Sequence, residues 1–303
     1  MDYSVNYTDK DGKLVKSGKR ITATILPHLV ATFAKPKMVV AEVGVWEGNS
    51  LDIYIETIKS LDGKLYLIDW WKGSTFVEEG LDMSYNDNIY EDVYQKVLDI
   101  IDAHDAHSNV IILKGDSVEM AKQIPDASLD LCFIDAGHTY QECKRDIEAY
   151  LPKVKKGGII GGDDMDNVKS FYEYLIKLFT YSPEDRSKDA VSGQGHPGVH
   201  TAVWNTFNIN INTFSDAWYT FVGYHFVRGS LGIVEQDDYA NFISGEASSA
   251  EFRDKIIPFE AMHVLDNTHN YLIPLGWGTP SEDIVAMPME PGSIIYEDKK
   301  EEK

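Results

Sequence analysis

The chain reads as an α/β protein built on a doubly wound, mostly parallel sheet with an extension behind it. Three observations predict this. Short apolar runs alternate with amphipathic segments from Val39 to Gly162, the rhythm of repeated β-α units. The first run rises through Glu42, breaks at a turn bounded by Gly44 and Gly48, and passes into a segment with helical spacing, Leu51 to Ser60. A buried parallel strand that feeds a helix through such a turn is the layout of a nucleotide site. Five successive runs also end at or beside a carboxylate: Glu42, Asp69, Asp116, Asp135 and the pair Asp163 and Asp164. Ligands of open parallel sheets lie outside those strand ends.

The elements follow in order. Met1 to Lys19 is polar, with Asp11-Gly12 and Ser17-Gly18 as turn signals, and reads as a loose arm or short hairpin. Ile21 to Ala34 has helical spacing, although Pro27 argues against an unbroken helix. Strands are expected at Leu65–Asp69, Val110–Leu113, Leu129–Asp135 and Gly158–Gly162, and helices at Asn88–His104, Val118–Gln123 and Thr139–Leu151. Val168 to Phe179 reads as helix. Thr180 to Pro197 is polar, contains glycine, and is long enough for a mobile lid. A helix over Gly198–Phe207 and two closing strands, Ile211–Phe214 and Ala217–Arg228, complete the expected domain. The reading divides the chain into an arm and helix over 1–37, a main domain over 38–229, and an extension over 230–303. From Ser230 onward there are fifteen acidic and five basic residues. That extension reads as a cap, a dimerisation surface or a tail, and its last residues, Glu297 to Lys303, as disordered.

With a net charge of -21, the protein is a poor binder of phosphate backbones or anionic membranes, which attract Lys and Arg. Neither a leader pattern nor a run of about 18 apolar residues occurs in the sequence, so a cytoplasmic location is the default expectation. Cys132 and Cys143 read as reduced thiols that bind nothing. The turn lacks the Gly-x-Gly-x-x-Gly spacing of dinucleotide sites and the Gly-Lys-Ser/Thr of a P-loop. Gly44 is expected to tighten the turn, and Gly48 to let a ligand approach the backbone. Asp69, at the tip of the second strand, is placed to accept both hydroxyls of a ribose. Asp135, Asp163 and Asp164 end adjacent strands and can converge on one point. Such a cluster repels itself unless protons or a cation neutralise it, and Mg²⁺ suits carboxylates. His138 can take a proton from a hydroxyl. Asp116 is also a fair helix cap, and His138 a plain helix-start residue.

Ile134-Asp135-x-x-His138-x-Tyr140, followed by Gly157-Gly158 and Asp163-Asp164, resembles a motif set of metal-dependent small-molecule O-methyltransferases, and of their sugar-modifying members in particular. Glu42-x-Gly44-x-x-x-Gly48 resembles the first motif of the class I methyltransferases that use S-adenosylmethionine. The resemblance runs from about Met38 to Arg228 and includes His196-Pro197-Gly198-Val199. It implies a Rossmann-like, seven-stranded sheet, S-adenosylmethionine as cofactor, and Mg²⁺ or another divalent cation held by Asp135, Asp163 and Asp164. It further implies His138 as base. Glu42, Gly44, Gly48, Ser50, Asp69, Trp70, Asp116, Ser117 and Asp135 are then the expected surroundings of the cofactor. His196 and His200 are candidates for substrate contact. The implied partner is a small-molecule hydroxyl acceptor, a sugar or polyol, with no nucleic acid and no membrane; a homo-oligomer is left open. A catechol acceptor, an iron-dependent hydroxylase on the same sheet using His138 and His196, and a non-catalytic assembly protein are the competing readings.

Overall fold

The computed structural model of the chain describes residues 5–8, 14–17, 25–72, 87–165, 171–208, 210–214, 216–227 and 232–258. The arm contributes a hairpin of β1 (Val5–Thr8) and β2 (Leu14–Ser17), paired antiparallel. Helix α1 spans Ile25–Thr32. Its Pro27 falls in the first turn, where backbone N–H groups have no partner within the helix, so the ring breaks nothing.

The main domain then alternates as the sequence pattern predicts: β3 (Val39–Val43), α2 (Leu51–Ser60), β4 (Lys64–Asp69), α3 (Asp87–Ala103), β5 (Val110–Lys114), α4 (Ser117–Ala121), β6 (Leu129–Ile134), α5 (Tyr140–Tyr150) and β7 (Val154–Gly162). After it come α6 (Phe171–Thr180), α7 (Pro183–Ser187), α8 (Pro197–Phe207), β8 (Asn212–Phe214) and β9 (Ala217–Phe221). Seven strands form one sheet in the order β5-β4-β3-β6-β7-β9-β8. The first five are parallel, β9 runs antiparallel to β7, and β8 antiparallel to β9. Strand order reverses between β3 and β6, which opens a crevice beyond their carboxyl ends.

Alternation along the strands builds two cores. Val40, Leu65, Leu67, Leu131 and Phe133 pack with α1, α2 and α3 on one face. Ala41, Val43, Ile68, Cys132 and Ile134 pack with α4, α5, α6 and α8 on the other. Both faces are covered, so the strands read as continuous apolar runs. At the amino end of the sheet, Asp130 is buried between Lys35 and Lys155, at 2.9 and 2.8 Å, and accepts the N–H of Val39. These contacts outweigh burial, which alone would raise its pKa, and hold it below the usual carboxylate range.

The stretch expected as a mobile lid or substrate loop contains α7, fixed by a capping box between Ser182 and Asp185. One expectation is corrected. The closing strand expected over Ala217–Arg228 ends at Phe221. A turn at Val222 and Gly223 then leads into β10 (Tyr224–Val227), which leaves the main sheet. It pairs instead with β11 (Gly232–Glu235), and β11 with β12 (Ile257–Pro258). Helices α9 (Gln236–Ile243) and α10 (Ser249–Asp254) accompany this small sheet. It is no separate body, because Ile233 is fully buried in the first core and Phe226 meets Tyr219 and Phe221 edge-on. The tail from residue 259, including Glu297 to Lys303, lies outside the described residues. Among the described residues no helix is long and apolar enough to cross a membrane.

Replacing Asp130 by Ala is expected to cost about 2–3 kcal/mol at pH 7, below the usual cost of breaking a fully buried ion pair, because both lysines are partly solvated. The folded-state pKa lies below the unfolded value, so this stability is present above about pH 4 and is lost as pH falls through the folded pKa. Urea denaturation of both proteins at pH 7 and pH 3 checks it: the gap between them should narrow in acid.

Candidate active site

The site is built at the carboxyl ends of β3, β4, β6 and β7. Gly44 has φ 88°, and a Cβ there would lie 1.8 Å from the carbonyl oxygen of Asp135. The turn after β3 therefore lies directly on the end of β6, at the strand-order reversal. Gly48, with φ 75°, faces Ile100 and Val97 of α3. Its lack of a side chain serves helix packing and a left-handed backbone. Glu42 shares the face of Val40 and is buried under α2. Its carboxyl accepts hydrogen bonds from the hydroxyls of Ser50 and Tyr54. Burial is the main reason its pKa is raised to about 7, with the two hydroxyls opposing the shift. Glu42 and Ser50 thus tie strand to helix beneath the turn.

Asp69 does not present an open carboxylate. Oδ2 accepts the N–H groups of Val45 and Trp46 at 3.0 and 2.9 Å, and Oδ1 that of Trp71 at 2.7 Å. Trp70 is half-buried, whereas Trp71 is buried and donates its indole N–H to the carbonyl of Trp46 at 2.9 Å. Asp116 caps α4, accepting from Val118 and Glu119, and pairs with Arg145 at 2.7 Å. Ser117 donates to Asp146 of α5. Both residues thus do local structural work at the end of β5, the second of the two roles open to Asp116.

The densest chemistry lies at β6 and β7. One ligand atom each from Asp135, His138 and Asp164 lie within 4.8 Å of one another. Asp135 is reached by solvent yet surrounded by protein, as befits the floor of a cleft. Burial and the nearby Asp164 raise its pKa. His138 Nε2 is 3.0 Å from Asp164, and Nδ1 is 2.9 Å from Asp189. Burial alone would lower the imidazole's pKa, but the two carboxylates outweigh it and raise it. The same pairing holds Asp164 low against the effect of burial. His196, the N-cap of α8, completes the group, with Nδ1 3.4 Å from Asp164 and its ring centroid 4.6 Å from that of His138.

Asp163, expected as a ligand beside Asp135 and Asp164, is not in the trio. Its carboxyl is buried, Oδ1 accepts the N–H of Asp164, and burial with two neighbouring acids raises its pKa. Asp164 has φ 65°, so the chain reverses between the two acids. His200 is also corrected. It is fully buried, with Nδ1 2.7 Å from the hydroxyl of Tyr181 and its carbonyl accepting from Tyr174. Spacing of four puts two residues on one face only inside a helix, and His196 lies before the helix. Cys132 and Cys143 are free, buried thiols whose pKa burial pushes up. Asp189 was missed: it lies 51 residues from His138, and its only signal was a place in the expected lid.

Residues 41–165 match the family model described as a methyltransferase domain. No curated protein matches the chain. Among solved structures it is similar to a Staphylococcus aureus protein described as a caffeoyl-CoA O-methyltransferase, at 17% identity over 66% of this chain and 82% of that one, with a TM-score of 0.44. It is similar to the TDP-rhamnose 3'-O-methyltransferase of calicheamicin biosynthesis at 16% identity over 66% and 79%, with a TM-score of 0.45. For the O-methyltransferase NovP the values are 18%, 63% and 74%, and 0.42. All three are distant enough that only this chain's own residues bear on its chemistry. Residues 41–165 thus carry a match to a methyltransferase domain, set on a seven-stranded sheet whose antiparallel last strand is inserted beside the fifth. That match supports a methyltransferase enzyme.

Glu42→Gln is expected to stabilise the ligand-free protein at pH 8 by about 2 kcal/mol. The folded pKa is raised, so the folded form keeps a proton that the unfolded chain has released between about pH 4.5 and 7. Wild-type stability therefore falls with pH across that window and then levels off. Denaturation between pH 4.5 and 8 should show the variant's advantage growing through the window and absent at its acid end.

Proposed function

We propose that the protein transfers the methyl group of S-adenosylmethionine to a hydroxyl oxygen of a small molecule, a sugar or polyol, with a divalent cation bound beside the acceptor. One observation carries this reading: two carboxylates and an imidazole converge at the crevice where the glycine turn meets the end of β6. The donor set fits a divalent cation. Asp135 and Asp164 offer the hard oxygen ligands that Mg²⁺ or Mn²⁺ prefers. Asp163 lies one residue away, its carboxyl bonded to the backbone of Asp164. A cation there supplies Lewis acidity to a bound hydroxyl, and S-adenosylmethionine supplies an electrophilic methyl.

The chain's own work is positioning and proton removal. The turn from Gly44 to Gly48 supports the amino-acid end of the cofactor, Trp70 and the end of β4 border the nucleoside, and Ser117 lies towards the base. His138 receives the hydroxyl proton, and Asp189 on Nδ1 fixes which ring nitrogen faces the acceptor. His196 borders the acceptor. The sugar or polyol rests on the sequence motif around Asp135 and His138. Iron-dependent hydroxylation is the weaker reading. It needs two imidazoles and one carboxylate, whereas the group with mutually close ligand atoms among the described residues holds one imidazole and two carboxylates.

Calorimetric titration of S-adenosylmethionine into metal-stripped protein, with and without Mg²⁺ or Mn²⁺, tests the reading. Binding of both is expected, with the metal heat lost in Asp164→Ala; no binding of the cofactor under any condition sinks it. With an acceptor found by screening sugars and polyols, His138→Ala should lower kcat by about 10²–10⁴-fold, the usual yield of general base catalysis, while cofactor affinity holds.

A further inference from the structure

We propose that a cavity between α5, α7 and α8 holds the anionic end of the methyl acceptor, a carboxylate or a phosphate on a hydroxylated small molecule, with Arg186 as its counter-ion. This inference rests on the reading that an acceptor hydroxyl lies at His138. The cavity measures about 320 Å³, and its walls include Tyr140 and Gln141 of α5, Arg186 and Ser187 of α7, and Thr201 and Asn205 of α8. The same three elements carry the imidazole group: His138 comes just before α5, Asp189 just after α7 and His196 just before α8. Tyr140 is two residues from His138, so their Cα atoms are at most about 7 Å apart. Gly198 seats α8 on that turn, since a Cβ there would lie 2.3 Å from the carbonyl oxygen of His138.

The charge of the cavity runs against that of the chain. The net charge is -21, yet no residue lining the cavity is acidic and one is a cation. The acids nearby in sequence have other partners: Glu184 pairs with Lys188 at 3.0 Å, Asp185 accepts the hydroxyl of Ser182 at 2.7 Å, and Asp189 holds His138. Arg186 forms no ion pair among the described residues. A guanidinium carries five N–H donors. The described bonds use only those of Nη2, which reach the carbonyls of Leu178 and Tyr181 at 3.4 and 3.3 Å. Nε is buried with no partner, which costs stability unless an acceptor is brought to it. A planar fork with spare donors is the side chain best suited to a carboxylate or a phosphate.

The other walls indicate what the anion is attached to. Thr201 and Ser187 spend their hydroxyl protons on the carbonyls of Pro197 and Glu184, at 2.8 and 2.7 Å. Their oxygens are left to accept, so they suit a ligand that donates hydroxyl protons. Asn205 gives one amide N–H to the hydroxyl of Tyr140 at 3.1 Å and keeps a second. One cation, one spare amide N–H and two accepting hydroxyl oxygens match a sugar acid or a sugar phosphate better than a neutral sugar, an amine or an apolar ring. A charge pair at one end of a small acceptor also orients the other end, which is what in-line transfer requires. The acid group lies in the cavity and the reacting hydroxyl towards His138.

The test uses the full chain in the presence of S-adenosylhomocysteine and Mg²⁺. Glucuronate, glucose 6-phosphate, inorganic phosphate and glucose are titrated calorimetrically into wild type, Arg186→Gln and Asn205→Asp. The second variant keeps the size of the side chain and the bonds of Arg186 while placing a negative charge in the cavity. At least one charged sugar is expected to bind wild type about tenfold or more tightly than glucose, the scale of one charge-assisted contact. Which of the two binds distinguishes carboxylate from phosphate. Each substitution should abolish that preference and leave the affinity for S-adenosylhomocysteine within about twofold, since the two sites share no partner. Equal binding of charged sugars and glucose overturns the proposal. So does a preference that survives either substitution, which an anion held on a cation at Asp135 would show. Inorganic phosphate that binds as tightly as the charged sugars makes this a free-anion site and overturns its role towards the acceptor. If Arg186→Gln does not fold, Asn205→Asp decides alone. Failure of S-adenosylhomocysteine to bind wild type overturns the methyltransferase reading instead, while the comparison of charged sugars with glucose still judges the cavity.

Discussion

Carboxylates brought to one end of a sheet repel one another, and most of this site's geometry consists of the ways in which that repulsion is met. Val43, Ile134 and Gly162 lie level across β3, β6 and β7, so the acids that follow emerge side by side, about 4.8 Å apart. Each acid has its own counterpart. Asp69 is held by amides and Asp116 by amides and Arg145; Asp164 faces two imidazoles, and Glu42 two hydroxyls. Asp135 and Asp163 are the least compensated of the strand-end acids, since burial and their acidic neighbours both disfavour their charge. A cation arriving from solvent gains most at such a point, and Asp135 is the one that solvent reaches.

Part of the backbone strain lies at the same end. Trp46, Trp71 and Asp164 are non-glycine residues in the left-handed region, and each follows a strand that ends at the crevice. At Asp164 the reversal separates two consecutive acids, sending one into the protein and one to the imidazoles. At Trp46 it keeps the turn tight enough for Gly44 to rest on the backbone of Asp135. The two places are coupled through that contact, because any residue larger than glycine at 44 would push on the end of β6. The turn after β3 and the end of β6 are one mechanical unit.

The strands and their terminal acids were legible because a buried parallel sheet leaves continuous apolar runs, and Glu42, Asp69, Asp135 and Asp163 stand where those runs stop. What those acids do was less legible. An aspartate at a strand tip accepts N–H and O–H groups alike, so Asp69 gave no sign that it also holds backbone N–H groups of the turn. Pro197 and Gly198 already set His196 ahead of the helix, as the structure has it, but nothing in the spacing told that His200 points into a core of tyrosines. Apolar residues from Ala217 onward continued past Phe221 without marking the change of sheet, since β10 is half-buried on a second surface. Asp189 left no local pattern at all, because its partner His138 is set by the tertiary path of the chain.

That path deserves weight in the chemistry. His138 immediately precedes the N-cap of α5, and the capping box of Thr139 with Glu142 fixes the backbone beside it. Its ring, however, is oriented from the opposite side by Asp189, just beyond α7, and flanked by His196, just before α8. The connection between them is short and closed on itself by the bridge between Val191 and Gly195. Asp189 and His196, which contact the His138 ring, therefore belong to one loop. A change of its length or turn geometry acts on both contacts together. Loops usually carry specificity on a rigid scaffold; in this protein the loop also orients an imidazole at the crevice.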